Sequence, residues 1–158
     1  DYLIDQLTAH GFVHYEVSNF ALPGRESKHN SSYWDGTPYL GIGAGAHSFN
    51  GVSRRWNPDN ITQYIDGIES NKPVFEEEFL TDADRYNESI MLGLRKSDGI
   101  DLAKFSSYIG EELFFHFMQD SEPHIKNGSL IMEKDRIRFT EDGLFTSDNI
   151  ISSLFLLQ

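Results

Sequence analysis

Between residues 39 and 48 the chain reads Tyr-Leu-Gly-Ile-Gly-Ala-Gly-Ala-His-Ser, with glycine at every second position from Gly41 to Gly45. Three glycines in five residues argue against a helix, since each costs about 1 kcal/mol relative to alanine in a helix interior. The segment predicts a strand, a glycine loop, and a second strand through Val52 to Trp56. Backbone without side chains lets another group approach closely, so the loop amides are candidates for contact with a ligand. The spacing is neither that of a Gly-Lys-Ser/Thr phosphate loop nor that of a G-x-G-x-x-G dinucleotide turn. Taken alone, the run fits a strand turning under a lid equally well.

Around this loop the sequence alternates helix and strand. Leu3, Ile4 and Leu7 have helical spacing over residues 2–10, and Gly11 ends the run. Phe12 to Val17 alternates as a strand, and Ala21-Leu22-Pro23-Gly24 is a turn. Asn57-Pro58 predicts a helix start with Asn57 as N-cap; Ile61, Tyr64, Ile65 and Ile68 form its apolar stripe, and Asn71-Lys72-Pro73 ends it. The order is that of the closing units of an α/β sheet or barrel. A domain boundary is expected after residue 73. Beyond it, Thr81-Asp82-Ala83-Asp84 resembles a capping box, with Asp84 in place of the usual Glu, for a helix through Leu94. A helix pair near 101–108 and 111–119 follows, then a hairpin with Leu130 and Met132 on one strand and Ile137 and Phe139 on the other. A last helical segment begins at Thr140 and ends in Leu154 to Leu157. Helices, a hairpin and a helix give a winged-helix-like second domain, 74–158.

Charge follows the same division. The net charge is −12. Residues 1–65 hold 6 acids and 4 Lys/Arg, and residues 66–158 hold 19 and 9, so −2 against −10. An acidic second part repels phosphate backbones, so nucleic acid is not an expected partner. No apolar run is long enough for a membrane span. There is no cysteine, which excludes disulfides and any iron–sulfur cluster held by this chain's own thiolates, and fits a cytoplasmic protein.

Four of the six histidines lie in the first third of the chain. His10 and His14 straddle a helix-to-strand change, so a zinc site built on them is not expected. His29 precedes Tyr33 and Trp34. A neutral imidazole can ligate haem iron, and either ring can pack on a porphyrin, with Asn30 bonding a propionate or fixing backbone geometry. The alternative is that Tyr33 and Trp34 are core aromatics and His29 a surface residue. His47 and Ser48 have no nearby acid that would complete a nucleophilic triad. Arg54 or Arg55 offers a bidentate partner for a carboxylate such as a propionate, or a structural ion pair.

Read jointly, the motifs resemble one family. Tyr15-Glu16-Val17-Ser18-Asn19-Phe20-Ala21, His29-Asn30-x-x-Tyr33-Trp34, Tyr39 to Ser48 and Arg54-Arg55-Trp56-Asn57 are similar to the HemW-type haem chaperones. These share a radical S-adenosylmethionine family with oxygen-independent coproporphyrinogen III oxidase, HemN. Met91-Leu92-Gly93-Leu94-Arg95, Gly99-Ile100-Asp101-Leu102, Arg138-Phe139-Thr140-x-x-Gly143-Leu144 and Ser147-Asp148-x-Ile150-Ile151 resemble that family's C-terminal domain. The H-N-x-x-Y-W element separates the chaperones from the oxidases.

The resemblance implies a fold of class α/β plus α+β. Residues 1–73 would be the C-terminal end of a partial (β/α) radical S-adenosylmethionine barrel, and 74–158 the helical HemN-type domain. It implies haem contact through His29, Asn30, Tyr33 and Trp34, with His29 as possible iron ligand. Gly41, Gly43, Gly45, Ala46, His47 and Ser48 would face S-adenosylmethionine. The family's CxxxCxxC motif for a 4Fe-4S cluster is absent, so the chain reads as the C-terminal portion of a longer protein and is expected to be inactive alone. Expected partners are haem or porphyrin and haem-accepting proteins, with a homodimer possible through an unpaired sheet edge. The alternatives are coproporphyrinogen III oxidation by the complete protein and a winged-helix-like module that binds another protein.

Overall fold

The computed structural model describes residues 2–16 and 18–157. They fall into two compact units, Asp1–Asp35 with Asp82–Gln158, and Gly36–Thr81. A cut after residue 73 therefore runs through the second unit, because the strand beyond it pairs back onto the strand before the preceding helix.

Helix α1 (Tyr2–Ala9) stops at Gly11, which takes the left-handed φ of +83° expected of a C-cap glycine. Strand β1 (Val13–Glu16) pairs antiparallel with β2 (Asn19–Ala21), Val13 opposite Ala21 and His14 opposite Phe20. Val17, the expected end of this strand, lies outside the described residues. Helix α2 (Lys28–Trp34) was not expected, because its sequence has almost no apolar periodicity. Its start is set by a cap: Ser27 Oγ accepts the Asn30 amide at 3.3 Å.

The second unit is a three-stranded antiparallel sheet with one helix. Strand β3 (His47–Phe49) pairs with β4 (Ser53–Trp56), and after helix α3 (Ile61–Glu69) strand β5 (Glu76–Phe79) closes the order β3-β4-β5. Two expectations are corrected here. The strand before the glycine loop shrinks to a single bridge between Tyr39 and Phe49, and the first real strand follows the loop. The N-cap of α3 is Asn60, whose side chain accepts the Gln63 amide at 3.0 Å, and not Asn57. Strand β5 reads as three glutamates and a phenylalanine, a poor strand by propensity. It forms because β4 offers arginines in register: Arg54 sits opposite Glu78 and Arg55 opposite Glu77. The apolar stripe of α3 is exposed, with Ile61 at 67% and Ile68 at 55%.

The remaining residues build the main core. Helix α4 (Asp82–Arg95) places Tyr86, Ile90 and Leu94 at four-residue spacing on one buried face. After strand β6 (Ile100–Asp101) come helices α5 (Leu102–Ile109) and α6 (Glu111–Lys126), the latter seven residues longer than expected. The expected hairpin is present as β7 (Leu130–Glu133) and β8 (Arg136–Phe139), in a sheet of order β6-β8-β7. The short helices α7 (Glu141–Leu144) and α8 (Ser147–Ser153) cover it. Phe105 and Phe117 meet edge to face at 4.8 Å, and Ile137, Ile150 and Leu154 complete the cluster.

Candidate functional site

The H-N-x-x-Y-W residues lie on α2, which brings them together by helical spacing. His29 and Tyr33, one turn apart, share a face: their rings meet edge-on at 5.0 Å, and His29 Nε2 lies 3.3 Å from Tyr33 Oη. Both are exposed, which leaves an imidazole and a phenol ring open to a flat ligand. Asn30 and Trp34, likewise four apart, are half-buried. Trp34 Nε1 is buried with no hydrogen-bond partner among the described residues, a donor left unsatisfied. Trp34 is thus neither a fully buried core aromatic nor a freely exposed one.

The glycine loop is organised differently from the sequence expectation. The Gly41 amide donates to Ser48 Oγ at 3.0 Å, the Gly43 amide to Tyr64 Oη at 3.1 Å, and the Gly45 amide to the Pro58 carbonyl at 2.9 Å. All three glycine amides are therefore engaged by the fold. Gly41 is required for a different reason: a Cβ there would lie 2.1 Å from the His47 carbonyl oxygen. Asn57, expected to cap a helix, instead donates its side-chain amide to the Gly43 carbonyl at 2.9 Å, and its backbone amide to Ala46 at 3.0 Å.

His47 offers its ring to solvent, as the apolar side chain of Ile42 does. The His47 ring stacks on Trp56 at 6.0 Å with 28° between the planes. The pair borders a cleft of about 400 Å³ that Asn57, Asp59, Gln63 and Glu76 also line. Arg55, weighed above as a propionate partner, is committed within the sheet. Its Nε lies 2.9 Å from Glu77 Oε1, and its guanidinium lies over the Phe75 ring. The Arg55 and Ser53 hydrogen bonds hold the Glu77 carboxyl below its ordinary range.

Three groups escaped the sequence reading. Tyr64 serves the loop and not only the stripe of α3. Glu16 is a buried carboxylate at 3% exposure whose Oε1 accepts from Ser18 and Asn19, tying the β1–β2 turn. Lys96 reaches Asp35 at the end of α2. Only Glu16 had a signal, as an acid inside a quoted motif.

The chain's residues do not fit an iron–sulfur cluster. It has no cysteine, and among the described residues no group of three or more His, Asp or Glu side chains is arranged to hold a metal. Among the same residues no helix is long and apolar enough to cross a membrane.

Comparison with known proteins agrees with the motifs. Residues 80–146 match the HemN C-terminal domain. The heme chaperone HemW of Lactococcus lactis subsp. lactis is 34% identical over 156 residues, covering 99% of this chain and 41% of that protein. The chain resembles HemW over nearly all of its own length. The heme chaperone HemW of Bacillus subtilis is 32% identical over 152 residues, covering 96% of the chain and 40% of HemW. The chain thus spans about two fifths of the length of these HemW proteins. The solved structure of coproporphyrinogen III oxidase (HemN) from Escherichia coli, described as a radical SAM enzyme, superposes with a TM-score of 0.71. It is 19% identical, and the match covers 98% of this chain and 39% of HemN, so the likeness is one of fold.

Proposed function

We propose that the longer protein to which this chain corresponds is a radical S-adenosylmethionine haem chaperone. In this reading residues 1–73 form the end of its barrel and 74–158 its HemN-type domain. His29, Asn30, Tyr33 and Trp34 contact haem, the cargo, which passes to haem-accepting proteins in the cytoplasm. The observation that carries the reading is the exposed His29–Tyr33 pair on α2, with the unsatisfied indole of Trp34 beside it. An accessible imidazole on a capped helix suits reversible iron ligation. The HemW names of the relatives point the same way. Because the amides of Gly41, Gly43 and Gly45 are already bonded, the glycine segment would serve S-adenosylmethionine through its shape, with Ala46, His47 and Ser48. The cluster and most of that cofactor's contacts belong to residues outside this chain.

Titration of haem into the full-length protein and its His29→Ala variant tests the reading. A weaker affinity and an altered Soret band are expected; identical curves overturn the His29 assignment. Coproporphyrinogen III oxidation is the second reading, favoured by the fold shared with HemN. Protoporphyrinogen formed anaerobically by the reconstituted full-length protein would put it first. The order α4-β6-α5-α6-β7-β8 with sheet order β6-β8-β7 supports a winged-helix-like description of 74–158 and a protein-binding role for it. A homodimer belongs to the same proposal, and the solution mass of the full-length protein tests it.

A further inference from the structure

We propose that Lys96, at the end of α4, is a positioning residue that holds the haem-contacting helix α2 in place; this rests on the haem reading of α2. Three contacts seat the end of α4 against β1. Lys96 pairs with Glu16 in an isolated antiparallel backbone bridge, and the Ser97 amide and hydroxyl both donate to the Tyr15 carbonyl, at 3.1 and 3.3 Å. From that anchored backbone the Lys96 side chain reaches Asp35, Nζ to Oδ1 at 3.0 Å.

Asp35 is the C-cap of α2, its amide donating to the carbonyls of Ser31 and Tyr33. A carboxylate there has the wrong sign, because the C-terminus of a helix carries partial negative charge. Lys96 offsets this, because its ammonium neutralises the Asp35 carboxylate. The Lys96 side chain is only 26% exposed, so the pair is better shielded from solvent than a fully exposed one. Lys96 lies within the segment that matches the HemN C-terminal domain, while α2 precedes it. The ion pair is therefore a link from that domain to His29 and Tyr33, six and two residues before Asp35 on the same short helix.

The test is haem titration of the full-length protein with Lys96→Met, Asp35→Asn, the double variant, Lys96→Arg and His29→Ala, with Lys126→Met as a surface ion-pair control. Lys96→Met and Asp35→Asn should each weaken haem binding by up to about fivefold, the scale of one partly exposed ion pair. The double variant should be no weaker than the worse single, and Lys96→Arg should recover most of the loss. At saturating haem, Lys96→Met should show a Soret band displaced toward that of His29→Ala, which a loss of global stability alone would not produce. Should Lys96→Met fail to fold, Asp35→Asn decides by the same two readouts. If His29→Ala weakens binding while Lys96→Met and Asp35→Asn match the wild type, the positioning role is overturned. If His29→Ala itself changes nothing, the haem reading fails first.

Discussion

The side-chain amide of Asn57 donates to the carbonyl of Gly43 at 2.9 Å, joining the chain just after β4 to the centre of the glycine loop. With the Asn57 amide on Ala46 and the Gly45 amide on Pro58, it makes a three-bond clasp. The loop is thereby shaped by residues eleven to fourteen positions away.

Asn57→Ala should cost about 1–2 kcal/mol, since it strands a half-buried carbonyl. Asn57→Asp should cost as much, because a carboxylate cannot donate. Urea unfolding of the full-length protein measures both. An aspartate variant as stable as the wild type would show that Gly43 finds another donor.

Gly41→Ala should destabilise by about 1–3 kcal/mol or prevent folding, the range for forcing a methyl group into occupied space. The new Cβ would lie 2.1 Å from the His47 carbonyl oxygen, and backbone must move to admit it. Gly41 has no left-handed φ, so conformational strain is not the cause. The unfolding midpoint, or the soluble yield where none is measurable, reads the effect.

Acid should weaken the fold through two carboxylates. The Arg55 and Ser53 hydrogen bonds lower the Glu77 pKa; the Lys104 backbone hydrogen bond, where Asp101 caps α5, lowers that of Asp101. Each folded pKa lies below its unfolded value, so the stabilisation is complete above about pH 5 and is lost as pH falls through the folded values. Glu77→Gln should be less stable than wild type at pH 7, and the two should converge as pH falls through the folded Glu77 value. Urea midpoints across that range test it; parallel curves would contradict the assignment.

Tyr86→Ala should cost about 3–5 kcal/mol, as expected for removing a fully buried aromatic. Tyr86→Phe should cost about 1 kcal/mol, because the hydroxyl lies 3.5 Å from His116 Nδ1 and makes at best a weak bond. Burial, with a smaller contribution from the Asp120 charge, raises the Tyr86 phenol pKa. The phenol therefore favours the folded state below about pH 10, and stability falls as it is forced to ionise above that. Denaturant midpoints of the two variants, with an alkaline titration of phenolate absorbance, check both statements.

Where one turn of chain decides the outcome, the sequence was sufficient. Gly11 ends α1, Asp82 opens α4, and the hairpin of Leu130 to Phe139 appears as read, with the tight turn at Lys134. The H-N-x-x-Y-W motif named the residues of the candidate site, though not the helix that puts His29 against Tyr33. That helix depends on the Ser27 cap and the Lys96 tether more than on periodicity. Strand β5 was illegible because its glutamates become favourable only opposite Arg54 and Arg55.

The sequence by itself determined the features set by local chemistry: caps, glycine stops, four-residue spacing, the lack of any thiolate, and the motifs shared with HemW. Only the tertiary structure decided where long-range partners go. It gave Asn57 to Gly43 and left the N-cap to Asn60, and it spent the glycine amides on Ser48, Tyr64 and Pro58. The physical reason is that a backbone amide must find an acceptor once buried. Which acceptor it finds depends on residues that the chain brings close only after it folds.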